Sequence, residues 1–342
     1  MKALVTGGCG FIGQHLIEKL VSSGVEVTCL DINDICATGY KKVSELIGDK
    51  LIIGDVCDAQ ILHQLIPSVD IVYHLAAQSH VDVSISNPRA SMQTNAVGTQ
   101  MVASACAMYD KALVYCSTDE VYGDNELDYP YKEGTPLDPS SPYSAGKAAG
   151  EFAVRAAARS LGLRRWAITR GCNAYGANQY TEKLIPIACS LLQRGLPVTV
   201  HNSGTQIRQW VAVEEFCDGL IVVGESVLSD TIDHYPIYNI AGPRRLSVVD
   251  LILRLDHVAN GKHRHVKEVC SFVGDRPGQD NNYNISGEAA DEKLGFKPVR
   301  DIFSTHEIEK LLKSYGPDIE LNIADYRKIN DGASPCDPLH VT

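Results

Sequence analysis

Short apolar runs alternate with helix-length segments through the first half of the chain. The runs "KALVTG", "VEVTCLD", "KLIIGDV", "DIVYHLAA", "KALVYCST" and "RRWAITR" read as strands, and helical patterns such as Phe11–Ser23 and Asn87–Tyr109 lie between them. That alternation predicts an α/β fold built on a doubly wound parallel sheet. After about Arg170 the pattern loosens, with Pro and Gly punctuation at "RGLPV", "HNSG", "IAGPRR" and "DRPGQD" between shorter elements. A sheet domain over residues 1–175 is therefore expected, to which later segments return, followed by a smaller, partly discontinuous lobe over 176–325. The end, residues 326–342 with "INDGASPCDPLHVT", reads as a polar tail.

Composition narrows the function classes. The 342 residues are 44% apolar and suffice for a large core, and no apolar run is long enough to span a bilayer. The opening "MKALVT" leads into a strand rather than a secretory apolar segment, so a cytoplasmic protein is expected. A formal charge of −11 argues against nucleic acid or an anionic membrane as partner, while leaving room for a local basic pocket. The eleven cysteines are scattered with no CxxC pair and read as mostly buried thiols in a reducing compartment; no metal site is expected. The His-rich "HVANGKHRHVK" lacks ligand spacing and reads as a solvated turn.

The chemistry sits at strand ends. "TGGCGFIG" closes the first strand and places Gly7, Gly10 and Gly13 so that the following helix, opening at Phe11 and Ile12, presents free N–H groups to a pyrophosphate. Asp31, at the end of the second strand, is placed to accept from a ribose 2′-hydroxyl and to repel a 2′-phosphate, which favours NAD over NADP and a Rossmann-type sheet. Asp55 and Val56 close the third strand and either hold the adenine edge or serve as a loop cap. In "SSPYSAGKAAGE", Tyr143 and Lys147 are four apart on a helix with Ser141 as N-cap and Pro142 in its first turn. One face then carries phenol and ammonium, and the cation is expected to lower the phenol pKa toward neutrality, making Tyr143 a base for alcohol oxidation. An exposed, functionless pair is the alternative. "STDEVYG" puts Asp119 and Glu120 side by side after "KALVYC", which is either a polar strand-to-loop turn or an acid–base pair.

Taken together, the glycine pattern, Asp31 and Tyr143-x-x-x-Lys147 resemble the extended short-chain dehydrogenase/reductases from residue 1 to about residue 300. Within them, "HLAAQSHVD", "STDEVYG", "NQYTEKLIP", "TQIRQW", "YNIAG" and "DRPGQD" are similar to the nucleoside-diphosphate-glucose 4,6-dehydratases. The resemblance implies an NAD-binding first domain, a substrate-binding lobe, and a homodimer packed through the helices carrying Tyr143 and Asn87–Tyr109, where Ala145, Gly146, Ala148 and Ala149 allow close approach. It implies catalytic roles for Thr118, Asp119, Glu120, Tyr143 and Lys147, with Asp119 the acid at C6 and Glu120 the base at C5. Coenzyme contacts follow at Ile32, Asn33 and Asp34, at Leu75, Ala76, Ala77 and Ser79, and at Thr94. Substrate contacts are implied for Ser79, Thr118, Asn173, Lys183, Leu184, Arg208, Asn239 and Arg276, where the three cations suit a diphosphate or, alternatively, form surface ion pairs. Departures from the family's common pattern at Ala174, at His201 with Asn202, and at Gln279 leave the nucleotide open between UDP and dTDP; "LDINDICATG" resembles the forms that accept UDP-glucose. A sugar-nucleotide epimerase or decarboxylase and a non-catalytic NAD-binding protein are the other readings.

Overall fold

The computed structural model describes residues 1–32, 39–229, 236–274 and 278–319. Each apolar run becomes a strand: β1 (Lys2–Thr6), β2 (Glu26–Asp31), β3 (Leu51–Ile53), β4 (Ile71–His74), β5 (Ala112–Thr118) and β6 (Trp166–Gly171). They lie parallel in one sheet with strand β10 (Ile237–Ile240), in the order β10-β6-β5-β4-β1-β2-β3. All seven residues of β5 are buried, as expected of a central strand covered on both faces. The order reverses between β1 and β4, and ligands of doubly wound sheets bind in the crevice at such a switch point.

Helices cover both faces. One face packs Leu16, Ile17 and Leu20 of helix Phe11–Ser22 against Phe216, Leu220 and Val223 of helix Val213–Leu228, and the other packs Val102 and Cys106 against Val154 and Ala157. The segment expected as a single helix over Asn87–Tyr109 is instead helix Pro88–Met92, a π-helical turn Gln93–Gly98 and helix Thr99–Met108. The local cause is Asn95, whose side chain accepts from Gln78 N (2.8 Å) and donates to Gln78 O (3.0 Å). Such turns widen a helix where a side chain or loop intrudes, frequently at functional sites.

The second lobe starts one residue after β6. Cys172 separates β6 from β7 (Asn173–Tyr175), which joins β9 (Ile207–Ala212) and β11 (Arg244–Ser247) in a small sheet. A parallel pair, β8 (Val198–His201) with β12 (Cys270–Val273), and helices Leu184–Gln193, Val248–Asn260 and Thr305–Ser314 complete a separate core around Leu192, Trp210, Leu251 and Ile308. Helix Val213–Leu228 and β10 return to the large sheet. Nothing is described of the tail 326–342.

One buried ion pair ties the helix that carries Tyr143 to the large sheet. Arg170 of β6 is 1% exposed and meets Glu151, 0% exposed, through Nε–Oε1 (2.9 Å) and Nη2–Oε2 (2.6 Å). Glu151 belongs to helix Pro142–Ser160, two turns after Tyr143 on the same face. Arg170→Met should strand the Glu151 carboxylate without its cation and cost about 3–5 kcal/mol. The double variant Arg170→Met/Glu151→Leu should recover most of that loss, as measured by denaturant titration of the parent, both single variants and the double.

Candidate active site

β5 delivers the carboxylates. Its last residue, Thr118, accepts from Glu120 N through Oγ1 (3.3 Å), which bends the chain into the tight turn Asp119–Tyr122. Gly123 ends that turn at φ +76, and a Cβ there would lie 2.2 Å from Asp138 O. Asp119 is 3% exposed, and its Oδ2 has no partner among the described residues. Burial first, and the Glu120 charge second, push its carboxyl up to about 8, against the lowering pull of Arg208. Near neutral pH Asp119 therefore keeps its proton beside Glu120.

Helix Pro142–Ser160 delivers the other pair. Ser141 caps it and exchanges hydrogen bonds with Ser144 in a capping box, and Tyr143 N donates to Ser84 Oγ (3.1 Å). The Tyr143 phenol lies near enough to the Thr118 side chain to feel it, which brings the two segments together. The expected lowering of the phenol pKa is not what the structure shows: burial and the Glu120 charge raise it well above the ordinary tyrosine value. The reason is geometric. Lys147 is engaged by other groups: it donates to Cys116 O (2.7 Å) and sits 4.3 Å over the Tyr115 ring, while burial lowers its ammonium to about 8.

The glycine loop fits a dinucleotide. Gly7 has φ +70, and a Cβ on it would sit 2.6 Å from Ala76 N; on Gly13 a Cβ would sit 2.3 Å from Gly7 O. The helix opening at Phe11 and Ile12 has Gly10 as N-cap, with no side-chain cap and no acidic residue in its first turn, so its N–H groups suit a pyrophosphate. Asp31 ends β2, where its Oδ2 accepts from Cys9 N (2.7 Å). Ala76 N reaches Thr6 Oγ1 at 3.3 Å, Leu75 and Ala77 flank it half-buried, Ser79 is exposed, and Thr94 lies half-buried in the π-helical turn. Ser117 Oγ and Gln78 Oε1 are buried without partners among the described residues, as groups awaiting a polar ligand would be. Asp55 Oδ1 accepts from Cys57 N (2.8 Å), with Val56 buried beside it. Ile32 is exposed, and Asn33, Asp34 and Arg276 lie outside the described residues.

Among the cations expected to contact substrate, Arg208 of β9 acts on the acid. It stacks 4.4 Å over Tyr283 and donates to Asp280 O (2.8 Å), and its charge is felt by Asp119. Asn173 pairs in register with Trp210 of the same sheet. Lys183 caps helix Leu184–Gln193 beside Glu182, which contacts His80. His201 ends β8 with Nδ1 3.2 Å from Gly274 O. Asn239 is corrected. It is 0% exposed, accepts from Tyr122 Oη (2.8 Å), and donates to Tyr131 O (3.0 Å) and Ser286 O (3.1 Å), which leaves its side chain nothing for a substrate.

Several residues escaped the sequence reading. Asp280 accepts from Ser140 Oγ and Tyr283 Oη, both at 2.7 Å, and so pins the stretch before Ser141 to the second lobe. Glu151 carried a signal, four residues beyond Lys147 on an Ala-rich helix, and Arg170 carried another at the end of an apolar strand. The thiols of Cys9 and Cys29 and the Asp31 carboxylate converge within 4.8 Å, a grouping that no local spacing announces.

Comparison with known proteins agrees with this architecture. A model of the NAD dependent epimerase/dehydratase family matches residues 3–241. The chain is 34% identical over 328 residues to dTDP-glucose 4,6-dehydratase 1 of Escherichia coli (strain K12), covering 87% of this chain and 88% of that one. It is 33% identical over 310 residues to dTDP-glucose 4,6-dehydratase of Streptomyces niveus, covering 87% and 88%. In structure it is similar to DesIV, a dTDP-glucose 4,6-dehydratase from Streptomyces venezuelae with NAD bound, at TM-score 0.82 and 31% identity over 92% of this chain and 97% of that one. A UDP-glucose 4-epimerase from Thermus thermophilus in complex with NAD gives 0.79 and 26% over 92% and 99%.

The two shifted groups predict opposite limbs in the pH dependence of stability. Between the ordinary Asp value of 3.8 and about 8 the folded chain keeps a proton on Asp119 that the unfolded chain releases, so stability falls as pH rises through that window. Between about 8 and the ordinary Lys value of 10.5 the unfolded chain holds the proton that Lys147 has lost, so this contribution rises with pH. Denaturation midpoints across both windows should show Asp119→Asn flattening the lower limb and Lys147→Met the upper one.

Proposed function

The chain belongs to the NAD dependent epimerase/dehydratase family, and from that premise we propose that it removes water from a nucleoside-diphosphate-glucose to give the 4-keto-6-deoxyglucose sugar nucleotide. It is an NAD-dependent hydro-lyase. The observation that carries this reading is the buried Asp119, proton-bearing near neutral pH beside Glu120. Oxidation at C4 alone, as in epimerisation, has no use for such a pair.

The Gly7–Gly13 loop and Asp31 would hold NAD, which would supply the acceptor for the C4 hydride and its return to C6. Tyr143 takes the C4 hydroxyl proton as its phenolate, and the neighbouring Thr118 holds the C4 oxygen. The new ketone acidifies the C5 proton, which Glu120 removes. Asp119 protonates the C6 hydroxyl so that it leaves as water. Its carboxyl at about 8 stays loaded at neutral pH, and the rate should fall as pH rises through that value. Glu120 then returns its proton to C5. Tyr143 has gained one proton and Asp119 has lost one, so the net loss is one water.

Arg208, Lys183 and Arg276 are the cations for the diphosphate. His201 and the end of β12 are assigned to the nucleotide base. UDP and dTDP differ there by one methyl group, worth about 1–3 kcal/mol, so both sugar nucleotides should be processed, with UDP-glucose at least comparable. A cytoplasmic homodimer completes the reading. Its helix face differs from the one expected: Gly146 and Ala148 turn inward, with Gly146 facing Asn95, whereas Met92, Val97, Met108 and Phe152 are exposed. No helix among the described residues is long and apolar enough to cross a membrane.

Incubation with UDP-glucose and dTDP-glucose separately should yield products lighter by one water. Asp119→Asn should slow that loss by roughly 10²–10⁴ while sparing C4 oxidation. A product of unchanged mass inverted at C4 would make the chain an epimerase, and a variant as fast as the parent would remove Asp119 as the acid. His201→Tyr should move the ratio of kcat/KM toward dTDP-glucose.

Sedimentation at micromolar concentration should find a dimer, and Phe152→Asp should shift it toward monomer if the exposed apolar face is the contact. A monomeric parent would reject the assembly.

A further inference from the structure

The turn that carries the acid and base is anchored twice, and its second anchor has no part in the mechanism above. At its entry Thr118 Oγ1 takes the Glu120 N–H. At its exit Tyr122 is buried, and its hydroxyl receives from Arg170 Nη1 (2.8 Å) and donates to Asn239 Oδ1 (2.8 Å). The Arg170 guanidinium also lies 4.7 Å over the Tyr122 ring, and the Tyr131 ring is 5.4 Å away. Both partners are fixed independently of the turn. Arg170 is held by Glu151 and donates to Glu133 O (3.0 Å), and Asn239 is held by the Tyr131 and Ser286 carbonyls. Across the large sheet Ser117, Arg170 and Asn239 stand in one row, so β5, β6 and β10 meet at this hydroxyl.

Between the two anchors, Asp119 Oδ1 accepts only a long bond from Thr118 Oγ1 (3.3 Å) and Oδ2 has no partner among the described residues, so the carboxyl takes its direction from the turn. Tyr143 and Lys147 are set separately, by the Ser141 capping box and by the Cys116 carbonyl. We propose that Tyr122 is a positioning residue. Its hydroxyl, clamped between Arg170 and Asn239, sets the orientation of Asp119 and Glu120 for water elimination while leaving C4 oxidation to the Tyr143–Lys147 helix. This rests on the dehydratase reading of the same site.

Removing the hydroxyl by Tyr122→Phe keeps the ring and its packing but frees the exit of the turn. In single turnovers with a nucleoside-diphosphate-glucose, reduced-nicotinamide absorbance reports C4 oxidation and product mass reports water loss. C4 oxidation should stay within about threefold of the parent, while water loss falls about ten- to hundredfold, the range for a small misplacement of catalytic groups. Reduced nicotinamide should therefore persist in the variant. A purely structural role would slow both steps alike, and that result, or water loss at the parent rate, overturns the proposal. Asn239→Ala removes the other partner of the hydroxyl and should act in the same direction, which keeps the test open if Tyr122→Phe does not fold. The parent runs alongside: a parent that releases no water brings down the dehydratase reading and this proposal with it. A parent that dehydrates beside unaffected variants brings down this proposal alone.

Discussion

The buried pair of Arg170 and Glu151 is the constraint on which the site rests. A guanidinium cannot shed its charge, so burying it at 1% exposure requires a carboxylate and further acceptors in fixed positions. Glu151 supplies the carboxylate, Tyr122 and the Glu133 carbonyl take the Nη1 protons, and each belongs to a different segment. The ion pair thereby locks the helix bearing Tyr143 and Lys147 to the strand ends that carry Asp119 and Glu120. An apolar substitute of equal volume would pack the same space without dictating the same directions.

Desolvation does the electrostatic work at the centre. The same burial raises Asp119, raises Tyr143 and lowers Lys147, in each case favouring the neutral form. For Asp119 the result matches an acid that must carry a proton near neutrality. For Tyr143 the result opposes use as a base, and the ammonium that should counter it is engaged with the Cys116 carbonyl and the Tyr115 ring. The protonation of the phenol is therefore set by what is buried around it rather than by the helix spacing.

The second lobe contributes less by mass than by location. β7 starts one residue after β6, so the small sheet grows directly from the catalytic edge of the large one. Through that connection Arg208 reaches the vicinity of Asp119, and Asp280 binds the approach to the Tyr143 helix through Ser140. Lys183 and His201 sit at element ends around the same lobe, where backbone geometry can aim a side chain without distorting the core.

The sequence by itself determined the strands of the large sheet, the glycine loop, the capped Tyr143 helix and the adjacency of Asp119 and Glu120. Those are local properties: apolar runs, a cap, a turn and a spacing of four each involve residues close in the chain, and backbone geometry converts them directly into structure. The tertiary structure alone decided the π-helical turn at Asn95, the inward rotation of Gly146 and Ala148, the aim of Lys147 and the reassignment of Asn239 from substrate contact to scaffold. It also decided the protonation of Asp119. Each of these depends on which distant groups share a desolvated volume, as Tyr122 and Asn239 do across 117 positions, and no local pattern records that distance.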